Sequence, residues 1–91
     1  MNSETISEII VARDAVLVAA LKYNKAVMKS QIDYGVRGDY AVITLRRGSL
    51  VSPNTTDDIQ AEVADTLGRK CYQDPDYVAG VVATYRVKIT N

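Results

Sequence analysis

Ninety-one residues, 47% apolar and 24% charged, have the composition of one globular domain rather than of a disordered or fibrous chain. Eleven basic and eleven acidic residues cancel, so no long-range field draws in nucleic acid, membrane or acidic ligands, and any such contact must come from local clusters. The absence of histidine removes the commonest general base and metal ligand, and a single cysteine, Cys71, excludes an internal disulfide and a cysteine-rich zinc site.

The apolar content is Val, Ala, Ile, Leu and Tyr, without Phe or Trp. A small-aliphatic core buries less area per residue than an aromatic one, so association with another copy or a partner is an effective supplement. Glu4 and Glu8 make the N-terminus acidic, and Arg13 and Asp14 interrupt the first apolar run, which is unlike a secretory signal. No stretch reaches the eighteen or so apolar residues of a membrane span. The expected location is the cytoplasm, with no membrane partner.

From Ser3 or Thr5, either able to cap a helix, the pattern is helical to about Lys29. Ile6, Ile9, Ile10, Val16, Leu17, Ala20, Leu21, Val27 and Met28 fall on one broad stripe. Glu4 and Glu8 near its start and Lys22, Lys25 and Lys29 near its end complement the helix dipole. Arg13 and Asn24 interrupt the stripe. A second, flatter face carries Ala12, Ala15, Ala19 and Ala26, and residues 15–21 are apolar all the way round. Either strands of the same chain cover both faces, or the helix meets a second copy. The second reading makes Ala12, Ala15, Val18, Ala19 and Ala26 the expected oligomer contact.

Gln31 to Gly38 reads as a break, because Gly35 and Gly38 permit positive φ. Asp39 to Arg47 reads as a strand with Ala41, Ile43 and Leu45 on one side and Tyr40, Val42, Thr44 and Arg46 on the other. Gly48-Ser49 suggests a turn into a short strand at Leu50-Val51, ended by Ser52-Pro53-Asn54. A second helix begins around Thr56, with Asn54, Thr55 and Thr56 as candidate caps and Asp57, Asp58 and Glu62 in its first turns. Ile59, Val63 and Leu67 form its apolar row, and Gly68 stops it.

Gln73 to Asp76 is a turn into the last strand, Tyr77 to Thr90. There Tyr77, Ala79, Val81, Ala83, Tyr85, Val87 and Ile89 make an apolar row at a period of two. Fourteen residues exceed the usual strand length, which predicts either a bend, with Gly80 as its place, or an extension beyond the domain whose tail pairs with a neighbour's sheet edge. A helix over residues 76–84, capped by Asp74-Pro75-Asp76, is the alternative. The two halves echo each other: Asp39-Tyr40 leads to Thr44-Leu45-Arg46 as Asp76-Tyr77 leads to Thr84-Tyr85-Arg86.

Asp57, Asp58, Glu62 and Asp65 suit a hard cation in principle, but acidic residues at a helix start more often match its dipole. Cys71 follows Arg69-Lys70, which favours a thiolate; without a base beside it, a structural thiol is the better reading. Arg46, Arg47, Arg86 and Lys88, with Tyr40 among them, compose a basic surface with one aromatic if they share the sheet's outer face. That combination suits single-stranded nucleic acid or another anionic ligand. The run from Leu50 through Pro53-Asn54, the acidic-headed helix and the terminal amphipathic strand is similar to the layout of small phage tail and baseplate components, a resemblance over about half the chain that implies an assembly role.

These readings converge on one α+β domain over residues 1–91, two helices on a sheet of about three strands in the order α-β-β-α-β. The expected function is a non-enzymatic interaction or assembly module acting as a homo-oligomer, without cofactor or metal. The alternative is an anionic-ligand or nucleic-acid binder on the basic sheet face.

Overall fold

A computed structural model describes residues 3–49, 51–74 and 79–89. Its elements are α1 (Ser3–Leu21), β1 (Ile32–Arg37), β2 (Tyr40–Arg46), α2 (Thr56–Leu67), β3 (Cys71–Gln73) and β4 (Val81–Lys88). The strands form one antiparallel sheet in the order β1-β2-β4-β3. Helix α1 packs on β1 and β2, α2 on β3 and β4, and the helices pack on each other. The α+β class stands, with four strands instead of about three.

Alternation on the two central strands builds the core. Ala41 faces Val87, Ile43 faces Tyr85 and Leu45 faces Ala83 across the β2–β4 pair, and all six side chains are buried. Directly opposed residues of an antiparallel pair point to the same side, so this face is the one the helices cover. Ile9, Val16 and Ala20 of α1 and Ile59 and Val63 of α2 cover it. Each fully buried Ile or Val there contributes about 1.5–3 kcal/mol. Tyr85 is the largest side chain with no exposure; its hydroxyl donates to the Thr56 carbonyl at 2.8 Å, fixing β4 to the first turn of α2.

Several elements differ from the sequence reading. Helix α1 ends at Leu21, not near Lys29. The Asn24 side chain accepts from the Ala26 N–H at 3.0 Å and donates to the Ser49 carbonyl at 2.7 Å, local bonds that compete with helix continuation. Val27 is therefore buried from a loop and Met28 is exposed. The supposed break at Gln31–Gly38 is mostly strand β1, joined to β2 by a two-residue Gly38-Asp39 turn in which Gly38 has φ +57°. Two-residue hairpin turns favour positive φ, and Gly supplies it without strain.

The hairpin expected at Gly48-Ser49 is replaced by a 3₁₀ turn, Arg47–Ser49. Val51 is buried outside any strand, and Leu50 lies outside the described residues. Helix α2 stops at Gly68, φ +63°, as its sequence implies. Its start lacks the expected side-chain cap: the Thr55 and Thr56 hydroxyls donate back to the Ser52 and Pro53 carbonyls at 2.8 and 3.1 Å.

In the last strand, residues 81–84 are extended, which removes the helical alternative there, and Gly80 turns the chain with φ +79°. The buried row is Ala83, Tyr85, Val87 and Ile89; Ala79 is exposed ahead of the turn, and Tyr77 lies outside the described residues.

The order α-β-β-α-β-β with sheet order β1-β2-β4-β3 relates the halves by a topological two-fold between β2 and β4. Thr44 faces Thr84 at its centre. Of the sequence echo, Thr44-Leu45-Arg46 and Thr84-Tyr85-Arg86 fall on equivalent positions of the two central strands, while Asp76-Tyr77 lies outside the described residues.

Burial pushes the Cys71 thiol from its ordinary 9.0 up to about 11, so the unfolded chain loses this proton before the folded one does. The associated stability is complete below pH 9.0 and is lost as pH rises through about 11. Tyr85, also raised by burial from 10.0, adds a decline of the same sign at higher pH. Urea unfolding should show stability falling from about pH 9 upwards. Cys71→Ala should lower stability at neutral pH but flatten the earliest part of that fall.

Candidate functional site

Opposite the helices, the sheet presents an outer face that no described element covers. Across its centre the directly opposed residues read Asp33, Thr44, Thr84, Asp74. The next rows towards one end are Gly35, Val42, Arg86, Tyr72 and then Arg37, Tyr40, Lys88. There the Tyr40 and Tyr72 rings approach edge-on, with centroids 6.2 Å apart at 78°. The Arg86 guanidinium lies against both, 5.4 Å from the Tyr40 centroid and 5.5 Å from that of Tyr72, within cation–π range. Its Nε donates to Asp74 Oδ1 at 2.7 Å.

A groove of about 340 Å³ adjoins this cluster, lined by Tyr40, Arg69, Lys70, Tyr72, Lys88 and Ile89. Arg69 is paired with Glu8 at 3.0 Å. Lys70 and Lys88 are exposed cations with no ion pair to a described residue.

Of the expected basic set, Tyr40, Arg86 and Lys88 come together, and Tyr72 and Lys70 join them from the segment after α2. Arg46 lies six residues along β2 from Tyr40, roughly 20 Å away, where it reaches Asp33 at 3.8 Å and donates to the Ser30 carbonyl at 3.4 Å. Arg47 is in the 3₁₀ turn beyond it, its N–H donating to the Gly80 carbonyl. The two-fold explains the separation: it sends Arg46 and Arg86 to opposite ends of the face, Arg46 beside Asp33 of β1 and Arg86 beside Asp74 just after β3.

The expected oligomer contact on α1 is largely interior. Ala12, Ala15 and Ala19 are buried in the chain's own core, where small side chains let the helix sit close. Ala26 is exposed in the loop after α1. Val18 is 57% exposed and Val11, one heptad earlier, 54%; with Asp14, Ala15, Thr66 and Leu67 they line a shallow groove between the helices. Arg13, unexplained by the stripe, bonds Asp14 at 2.9 Å and lies 5.1 Å from the Tyr34 ring centroid.

The two sheet edges differ. The Ile89 N–H donates to the Asp39 carbonyl and the Asp74 N–H to the Thr84 carbonyl. Because bonding direction alternates along an antiparallel strand, odd residues of β2 bond to β4 and even ones to β1. In the β1–β2 register it is then Asp33, Gly35 and Arg37 that bond inward, leaving the N–H and C=O groups of Tyr34 and Val36 directed outward. Among the described residues nothing pairs with them. On the far edge, β3 has three residues, and the Gln60 side chain donates to its Cys71 carbonyl at 2.8 Å. The β1 edge went unrecognised in the sequence because two glycines masked the alternation of Ile32, Tyr34 and Val36.

Elsewhere the candidate chemistry is quiet. Glu62 is paired with Lys22 at 2.8 Å, which favours the protonated form of Lys22 through that hydrogen bond. Among the described residues no three acidic or thiol side chains gather as metal ligands. No helix is long and apolar enough to cross a membrane among them.

A double-mutant cycle on Arg86→Ala and Asp74→Ala, followed by urea unfolding, should give a coupling of about 0.5–1 kcal/mol, as a partly exposed pair allows. Compared with family models, with curated proteins and with solved structures, the chain matches none of them.

Proposed function

We propose that this chain is a non-enzymatic assembly module that works as a homo-oligomer in the cytoplasm. The observation that carries the reading is the open edge of β1 at Tyr34 and Val36, whose outward backbone groups pair with no described residue and whose side chains are 52% and 39% exposed. Soluble domains ordinarily shield such an edge by shortening, charging or covering it, as β3 is shielded here. Exposed Val11 and Val18 and a core without Phe or Trp point the same way. The burial of Cys71, which pushes its thiol up to about 11, supports reading it as a structural group. The similarity to small phage tail and baseplate layouts agrees with a structural role.

A second reading is favoured by the Tyr40–Arg86–Tyr72 cluster: capture of an anionic ligand carrying a flat ring, such as single-stranded nucleic acid. Tyrosine faces support stacking, and the exposed Lys70 and Lys88 bring positive charge beside them.

Light scattering at micromolar concentration should return a mass at or above twice 10.0 kDa; a clean monomer overturns the assembly reading. For the second, a fluorescent single-stranded oligonucleotide should bind at low salt, release steeply as salt rises, and lose affinity with Tyr72→Ala. Absence of binding at low salt removes it.

A further inference from the structure

The free edge of β1 carries the sequence Tyr34-Gly35-Val36 between Asp33 and Arg37. Tyr34 and Val36 direct their backbone groups away from β2, while the Ile32 N–H already donates to the Lys29 carbonyl. An incoming antiparallel strand must therefore meet Tyr34 and Val36 with residues whose own backbone groups face it. In a second copy those are again Tyr34 and Val36.

We infer that two copies of this chain join edge to edge through β1, antiparallel about a two-fold at Gly35, with Asp33 of each copy opposite Arg37 of the other. This rests on the homo-oligomer reading above and adds the surface and the register. Tyr34 of one copy then exchanges both backbone hydrogen bonds with Val36 of the other, and the symmetric pair does the same, giving four bonds. Gly35 meets Gly35 as a non-hydrogen-bonded pair, with Cα atoms about 4.5 Å apart. On the helix side the exposed Tyr34 and Val36 side chains of both copies gather into one apolar patch. On the outer face two Asp33–Arg37 pairs form.

Competing registers are poorer. A slip of one residue turns the bonding groups away from the partner. A change of two in pairing, one way, sets Asp33 opposite Gly35; the other way, it sets Asp33 opposite Asp39, a like-charge pair. The existing partner of Asp33 is weak competition, since Arg46 lies 3.8 Å away and both side chains are more than half exposed. Arg37 has no ion pair to a described residue.

The test uses the full chain with Cys71→Ala. A Cβ added at Gly35 meets nothing within 4 Å, and Gly35 does not need positive φ, so Gly35→Cys is compatible with the fold. Its Cα spacing across the two-fold falls within the disulfide range of about 4.4–6.8 Å. Mild oxidation should convert it to a covalent dimer, whereas Thr44→Cys, on the same face but one strand inward, should stay unlinked. Independently, Asp33→Arg should raise the dimer dissociation constant about tenfold or more, and the Asp33→Arg, Arg37→Asp double exchange should restore it. An oligomer that neither cross-links at residue 35 nor responds to Asp33→Arg overturns the β1 pairing and leaves the homo-oligomer reading standing. A wild-type monomer overturns both.

Discussion

The rest of the molecule depends on the register of β2 against β4. With Ile43 facing Tyr85 and Thr44 facing Thr84, one side of the central pair becomes a closed apolar surface and the other a polar one. A slip of β4 by one residue would present Thr84 and Arg86 to the helices and Tyr85 to water. Burial of Tyr85 under α2, with its hydroxyl on the Thr56 carbonyl, opposes that slip twice: by apolar area and by a polar group with a partner only in the observed register.

From this pair the duplicated topology follows outward. Each half contributes a helix and a hairpin, and each central strand carries a Val-x-Thr-x-Arg run. The halves have diverged in what surrounds the arginine. Arg86 lies between two tyrosines and bonds Asp74 at 2.7 Å, whereas Arg46 has a longer contact with Asp33 at 3.8 Å. The outer face thus has a built end and a plain end, although the central strands are alike. The helices diverge too: nineteen residues in α1 against twelve in α2.

Period and punctuation made much of this legible beforehand. The alternation of β2 and β4, the Gly68 stop and the Gly80 bend were readable because each rests on one local rule. The end of α1 was not, since Asn24 acts through a bond to Ser49, twenty-five residues away. Strand β1 was hidden because Gly35 and Gly38 weigh equally as loop signals in sequence, yet only Gly38 occupies a turn. The alanines of α1 were readable as a close-packing face, but what they pack against depends on where the sheet lies. Likewise the separation of Arg46 from Arg86 follows from strand order, which no local pattern encodes.

The Gln60 contact to the Cys71 carbonyl on β3 has a bearing on how far edge pairing can run. A sheet open at both ends adds neighbours without limit and grows into a filament, while one stopped at an end can only meet another open end. With β3 three residues long and its Cys71 carbonyl already bonded, two chains joined through β1 would present only these short edges. The assembly would close at a pair, and a single glutamine on α2 would be one of the groups standing between a finite particle and a fibre.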